Sequence, residues 1–208
     1  MDKKTQRLLH LIKEAQQTYG AENLVIALPG YAAKKFIAYC SIQEDLQLLI
    51  EYTTLLKTKP EGTVASALTY SLIALYGKCF TDASKHSYPK LEPNDLFENN
   101  KLKDVHEYLM DLRHQFIAHR GETEAEIGIS FMLIPKNKEL SDKTELRFSR
   151  LKMINFSKEE ISKIEELLNY LLQEVHAKIE KAAQKLHDHL LTEFTPEQLN
   201  LMRMDNMK

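Results

Sequence analysis

The sequence predicts a mainly α-helical protein: a helical bundle with one β-hairpin inserted before its last long helix. Two observations predict this fold class. Apolar residues recur at three- and four-residue spacing along most of the 208-residue chain, and the period changes only after Gly121, where two short segments are rich in β-branched and large apolar residues. A hydrophobic fraction of 43% is ordinary for a globular protein. We therefore expect a single domain over residues 1–208, with a hairpin insertion at 126–153.

Three helices are expected in the first 80 residues. Residues 3–19 carry a helical stripe of apolar side chains that a glycine closes. Ser41 and Glu44 have the spacing of a capping box, in which two side chains satisfy each other's backbone N–H groups, and they predict a second helix over 41–57. A Pro-Glu-Gly sequence separates it from a strongly apolar helix over 63–80. We expect this third helix to lie centrally.

The middle of the chain is expected to contain a connection, a helix and the hairpin. Polar residues and two prolines over 81–100 predict a long surface connection. A helix is expected over 101–119. The two strands of the hairpin are then expected at 127–134 and 146–153, joined by a polar turn.

The end of the chain is expected to be helical again. Ser157 and Glu160 repeat the capping-box spacing and predict the start of a long amphipathic helix that ends at about residue 191. A short helix is expected after Pro196, because proline is favoured at the first position of a helix.

Charge and cysteine content narrow the function classes. The formal net charge of −2 excludes a general electrostatic attraction of nucleic acid, so RNA binding would need a local basic patch. Cys40 and Cys79 lie in apolar helical segments without metal-ligand spacing, which predicts reduced core thiols. No apolar run approaches the roughly 20 residues that span a bilayer, and no signal sequence begins the chain. We therefore expect a cytoplasmic protein that makes no membrane contact.

The segment 109–121 carries the side chains best suited to chemistry. Arg113 and His119 stand six positions apart near the end of a predicted helix that stops at Gly121. In an α-helix this spacing gives a rise of about 9 Å and an angle of about 120°, part of which a long arginine side chain closes. A guanidinium grips two phosphate oxygens at once, and an imidazole exchanges protons near neutral pH. The pair is the minimum equipment for metal-free cleavage of a phosphodiester.

Cleavage of RNA by its own 2′-hydroxyl requires a base, a cation that stabilises the phosphorane and an acid for the leaving oxygen. His119 is the candidate acid or base, Arg113 is the candidate cation, and His114 is a further catalytic candidate. Arg120 and Lys78 are the candidate substrate-binding residues. One arginine–histidine pair does not clearly supply both a base and an acid. Two copies that meet in a symmetric homodimer would supply the full set.

The arrangement Arg113-His114-x-x-x-x-His119 resembles the arginine, polar residue, spacer and histidine signature of the HEPN superfamily. HEPN proteins are helical bundles of prokaryotic defence and toxin–antitoxin systems. The segments 70–81 and 106–113 also resemble HEPN-like bacterial proteins, so the resemblance covers residues 65–125 in all.

The resemblance implies a homodimer whose motif helices face each other and form a metal-independent ribonuclease site that leaves a 2′,3′-cyclic phosphate. It also implies an RNA substrate, no cofactor and, in many members, a small nucleotidyltransferase antitoxin as partner. Other members are inactive and serve as dimerisation modules or bind a protein, a nucleotide or a nucleic acid. The chain departs from the commonest pattern at His114, where asparagine or aspartate is more usual, and in the hairpin that directly follows the motif.

The motif residues also have a structural interpretation. Arg113 and His119 equally fit structural hydrogen bonds and a dimer contact without chemistry. Glu107, Asp111 and His114 are spaced to share one helix face, either as a solvated surface or as a group that orients His114.

Other side chains have open alternatives as well. Five lysines fit either a basic rim beside the motif or an ordinary solvated surface: Lys78, Lys85, Lys90, Lys101 and Lys103. Aromatic residues at helical spacing, Tyr70, Tyr76 and Phe80, predict core packing rather than base stacking. The histidines outside the motif, including the His-Asp-His sequence at 187–189, lack metal-ligand spacing, so no metal site is expected.

Overall fold

The computed structural model describes residues 2–23, 25–26, 28, 30–81, 88–98, 101–117, 125–134, 145–153 and 155–201. These residues form seven α-helices, one π-helical segment and two β-strands. The helices are α1 (Lys3–Tyr19), α2 (Gly30–Lys57), α3 (Gly62–Cys79), α4 (Pro93–Phe97), α5 (Lys103–Asp111), α6 (Lys158–Glu193) and α7 (Pro196–Leu201). The π-helical segment is Leu112–Ile117, and the strands are β1 (Glu126–Leu133) and β2 (Glu145–Lys152). The predicted class, mainly helical with one hairpin before the last long helix, is confirmed.

The described residues fall into two compact units. The first unit lies within 1–40, 84–89 and 177–208, and the second lies within 41–83 and 90–176. The motif segment and the hairpin both belong to the second unit, which therefore contains the candidate site. None of the described helices is both long and apolar enough to cross a membrane.

The second unit has a core of aliphatic and aromatic side chains. Its fully buried members are Leu46, Leu49, Leu56, Leu72, Ile73, Tyr76, Leu91, Leu109, Leu167, Leu168, Leu171 and Val175. The consecutive residues Leu72 and Ile73 point to different sides of α3, and both are buried, so α3 is covered on more than one face, as expected for a central helix. The buried thiol of Cys79 agrees with the core role predicted for it, whereas Cys40 is only half-buried.

The helix start predicted at Ser41 is wrong. Helix α2 begins at Gly30 and continues through Ser41 to Lys57. No proline or glycine lies between Gly30 and Lys57, so nothing interrupts the backbone hydrogen bonding before Ser41. The same spacing marks a true start at Ser157, where the Ser157 N–H donates to Glu160 Oε2 (2.7 Å) and the Glu160 N–H donates to Ser157 Oγ (3.2 Å). The serine–glutamate spacing alone therefore does not distinguish the start of a helix from its interior.

The polar composition of the segment 81–100 predicted a surface connection along its whole length. Part of the segment is buried instead. Its residues 88–98 are described, and Leu91, Leu96 and Phe97 among them are buried. Pro93 starts the short helix α4, and the apolar side chains anchor the segment to the core. The segment as a whole is polar despite these few apolar residues, so its composition does not predict that it packs against the core.

The helix expected over 101–119 changes its winding before the motif is complete. Helix α5 ends at Asp111, and Leu112–Ile117 continue as a π-helical segment, in which each N–H bonds five residues back. The predicted angle of about 120° between Arg113 and His119 assumed α-helical winding throughout. That assumption is wrong for this segment.

The hairpin agrees with the predicted strands within one residue. Strands β1 and β2 pair antiparallel in the register Glu126↔Lys152 to Leu133↔Glu145. Every residue from 127 to 134 and from 145 to 152 is exposed to solvent. The hairpin therefore contributes little to the core of the second unit.

Candidate functional site

Arg113 is the described motif residue with the most constrained position. It is the second residue of the π-helical segment, it is half-buried, and its side chain lies against Gly77 of α3. A Cβ atom at position 77 would lie 1.8 Å from Arg113 Cδ and 2.3 Å from Nε. Only a glycine at position 77 therefore leaves room for the arginine in this conformation.

A hydroxyl group fixes the guanidinium end of the same side chain. Arg113 Nη2 donates to Thr81 Oγ1 at 3.0 Å, and the Thr81 hydroxyl donates to the Gly77 carbonyl at 2.9 Å. A guanidinium has five N–H donors, so most of them are not used by Thr81. None of the ion pairs formed among the described residues involves Arg113. Among the described residues, the arginine is thus held in place by a neutral partner, the Thr81 hydroxyl.

His114, the next residue, is exposed, as are Glu107 and Asp111 of α5. Glu107 pairs with Lys103 at 3.7 Å across one helical turn. These contacts agree with the solvated-surface interpretation of this helix face. The role of His114 in catalysis stays a prediction.

His119 and Arg120 lie outside the described residues. The composite arginine–histidine site and the substrate-binding role of Arg120 therefore stay predictions. The described part of the motif ends at Ile117, so the structure shows Arg113, the predicted phosphate ligand, and does not describe His119, the predicted acid or base.

Four of the five lysines of the predicted basic rim are described, and each one pairs with a carboxylate. The pairs are Lys78–Asp45 (2.7 Å), Lys90–Glu92 (3.6 Å), Lys101–Glu166 (2.5 Å) and Lys103–Glu107 (3.7 Å). The fifth, Lys85, lies outside the described residues. Exposed ion pairs are weak, but each carboxylate reduces the local positive potential. The described surface thus offers RNA much less positive charge than its lysines alone indicate.

A buried histidine near the motif was not singled out by the sequence pattern. His106 lies in α5, seven residues before Arg113, and its Nδ1 lies 2.6 Å from the Tyr76 hydroxyl. Phe97 stacks on its ring and Phe80 tilts against it, both with ring centroids 4.5 Å away. Burial lowers the pKa of His106 and raises the pKa of Tyr76 well above its ordinary value, so both groups are neutral near pH 7.

The Tyr76 hydroxyl is the hydrogen-bond partner of His106 among the residues that the structure describes. The ring also lines an open cavity of about 480 Å³ with Asn94, Lys103 and Glu107. The helical spacing of the aromatic residues predicted that Tyr76 and Phe80 lie in the core. Histidine is polar and does not contribute to an apolar pattern, so the same criterion could not predict that His106 is buried.

The histidines near the end of α6 belong to the first unit. His187 lies 3.6 Å from the Asp188 carboxylate, and the His189 ring packs edge-on against Phe194. Within the described ranges, no group of three or more histidine, cysteine, aspartate or glutamate side chains is arranged to hold a metal ion.

No family model, curated protein or solved structure matches the chain. The resemblance to the HEPN superfamily therefore depends on the motif residues of the sequence alone.

Proposed function

We propose that the protein is a HEPN-like, metal-independent endoribonuclease of a defence or toxin–antitoxin system. The observation that carries the proposal is the placement of Arg113. A glycine gives its side chain room, a neutral hydroxyl fixes it, and no carboxylate of the described residues neutralises it. Arginine is a preferred ligand of phosphate in proteins, and π-helical segments frequently occur at functional sites.

The proposed mechanism assigns one role to each motif residue. Arg113 stabilises the negative charge that develops on the phosphorane, and His119 moves the proton of the 2′-hydroxyl or of the leaving oxygen. His114 supplies a second imidazole. A homodimer that brings two motifs together completes the acid and base pair and leaves a 2′,3′-cyclic phosphate. A nucleotidyltransferase antitoxin is the expected partner.

The test is cleavage of a labelled RNA in EDTA by the wild type, His119→Ala and Arg113→Lys. We expect cyclic-phosphate ends from the wild type, none from His119→Ala, and a loss of at least 100-fold for Arg113→Lys, which keeps the charge but not the two-pronged donor. Equal cleavage by the wild type and His119→Ala would show that a contaminating nuclease or a different site is responsible. Thermal unfolding of each variant distinguishes lost chemistry from lost folding.

A second candidate function is a non-catalytic HEPN-like module that binds a partner protein, nucleotide or nucleic acid. The ion-paired lysines favour it, because a surface with little free positive charge is poorly suited to capture RNA. This module would give no cleavage by any variant, while Arg113→Ala would weaken its dimerisation or its affinity for the partner.

A further inference from the structure

The hairpin exposes an unusual amount of apolar surface. Nine large apolar side chains of the hairpin and the residue after β1 are between 39% and 79% exposed: Ile127, Ile129, Phe131, Met132, Leu133, Ile134, Leu146, Phe148 and Leu151. An isolated two-stranded hairpin is marginally stable in water unless a third strand or a packed face supports it. Among the described residues, the sheet contains no strand besides β1 and β2. Among the described residues, no third strand therefore supports the hairpin.

The two outer edges of the hairpin differ in charge. Residues 127–134 contain no charged residue and no proline, and the one charge of β1, Glu126, pairs with Arg150 (3.0 Å) and Lys152 (3.7 Å) of the same hairpin. Strand β2 carries three cations and one anion, Arg147, Arg150, Lys152 and Glu145. Charged residues on an edge strand oppose pairing with another chain, and a long neutral edge invites it. In the part of the chain that the structure describes, β1 is therefore the open edge and β2 is the protected one.

We propose that β1 pairs antiparallel with β1 of a second copy of this chain and forms a four-stranded sheet in the order β2-β1-β1-β2. The neutral edge selects this occupant, because β1 is the described strand without charge over most of its length and its pairing with itself opposes no like charges. Pairing through β2 would place two strands with excess positive charge side by side. The proposed interface does not depend on the ribonuclease proposal.

Symmetry fixes how the faces combine. A two-fold axis between two antiparallel edge strands stands perpendicular to the sheet, so equivalent faces of the two hairpins lie on the same side. Ile127, Ile129, Phe131 and Leu133 alternate along β1 and share one face. In the dimer, these side chains of both copies form one continuous apolar surface. The sheet ends at four strands, since each outer edge is then a charged β2.

The symmetry also gives a sharp test. One residue near the middle of β1, Ile129 or Ser130, must lie directly opposite its own copy, within reach of a disulfide. Ser149 of β2 is equally exposed, but its copies lie three strand spacings apart, about 14 Å, which is beyond disulfide reach. The variants Ile129→Cys, Ser130→Cys and the matched control Ser149→Cys are made in a Cys40→Ser background, because Cys40 is half-buried and Cys79 is buried.

The experiment is mild oxidation of each full-length variant followed by non-reducing electrophoresis. We expect a covalent dimer from Ile129→Cys or Ser130→Cys and at least tenfold less from Ser149→Cys. Absence of a dimer from both β1 variants, or an equal yield from the β2 control, would overturn the proposal.

Sedimentation adds a test without cysteines. Ile129→Lys places a charge on the open edge and is expected to weaken self-association at least tenfold, whereas Phe148→Lys on β2 leaves it unchanged. An unchanged association of Ile129→Lys, or a comparable loss in Phe148→Lys, would contradict edge pairing through β1.

Discussion

Gly77 is the residue on which the position of Arg113 depends. The arginine side chain occupies the place where a Cβ atom would be, at 1.8 Å from Arg113 Cδ. A side chain at position 77 must therefore displace the arginine, which is flexible enough to move without disturbing the core. The effect of a substitution at this position should appear in function before it appears in stability.

We expect Gly77→Ala to reduce the proposed RNA cleavage about as much as Arg113→Ala, while the free energy of unfolding changes by less than about 1 kcal/mol, because alanine is favoured over glycine in a helix by about that amount. Cleavage rates and denaturant unfolding of the two variants provide the measurement. The control is Gly128→Ala in β1, where a Cβ atom meets nothing closer than 3.7 Å. If Gly77→Ala retained full activity, the arginine position described here would have no role in cleavage.

His106 gives the protein a pH-dependent stability with a defined sign. Burial lowers its pKa in the folded state from the ordinary 6.5, while the unfolded state titrates near 6.5. Above pH 6.5 the group is neutral in both states, so its contribution to stability is fully present. As the pH falls below 6.5, the unfolded state binds the proton first, and stability is lost by at most about 1.4 kcal/mol per pH unit until the folded-state pKa is reached.

Urea unfolding at a series of pH values between about 7.5 and 5 measures this loss. The informative variant is the double substitution His106→Phe with Tyr76→Phe, which removes both hydrogen-bond partners and leaves no buried polar group without one. We expect its stability to depend less on pH in this window than that of the wild type. An identical pH dependence in both proteins would assign the effect to other groups.

At the scale of the elements, the sequence predicts periodic segments well and anchored or unusually wound segments poorly. Helix α3 and both strands lie within one residue of their predicted bounds, because their apolar residues repeat with a single period. The anchor of the segment 88–98 depends on three buried side chains, Leu91, Leu96 and Phe97, in a mainly polar segment. The π-helical winding at 112–117 has no residue signature of its own. The contact of Arg113 with Gly77 joins two elements and cannot be read from spacing within either one.

The two capping-box sequences allow a direct comparison of a helix start with a helix interior. Ser157 caps α6 through a reciprocal pair of hydrogen bonds with Glu160, whereas Ser41 lies inside α2. We expect Ser157→Ala to lower the free energy of unfolding by about 1 kcal/mol, because it removes a cap. Ser41→Ala should leave it unchanged or raise it by a few tenths of a kcal/mol, because alanine is the better helix former. Denaturant unfolding of both variants measures the two changes in the free energy of unfolding. An equal decrease in both variants would contradict the continuous helix α2.

At the scale of the whole molecule, the arrangement of charge matters more than the net charge of −2. The described lysines near the motif pair with carboxylates, whereas Arg113 pairs with a hydroxyl. Any phosphate contact of the proposed site therefore comes mainly from the arginines of the motif. The small number of phosphate contacts limits how strongly the RNA affinity depends on salt concentration, because the salt dependence increases with the number of phosphates that the protein neutralises.

A homodimer that contacts RNA through Arg113 and Arg120 of both copies neutralises about four phosphates. On single strands, each neutralised phosphate contributes about −0.7 to the slope of the logarithm of the binding constant against the logarithm of the salt concentration. The expected slope is therefore about −2.8. Titration of a labelled RNA with the His119→Ala variant between about 50 and 300 mM salt measures the slope without cleavage. The control is Lys101→Gln with Lys103→Gln, which should leave the slope unchanged because both lysines already pair with carboxylates. A slope steeper than about −5, reduced by the lysine substitutions, would show that RNA displaces those carboxylates and that the basic rim binds it.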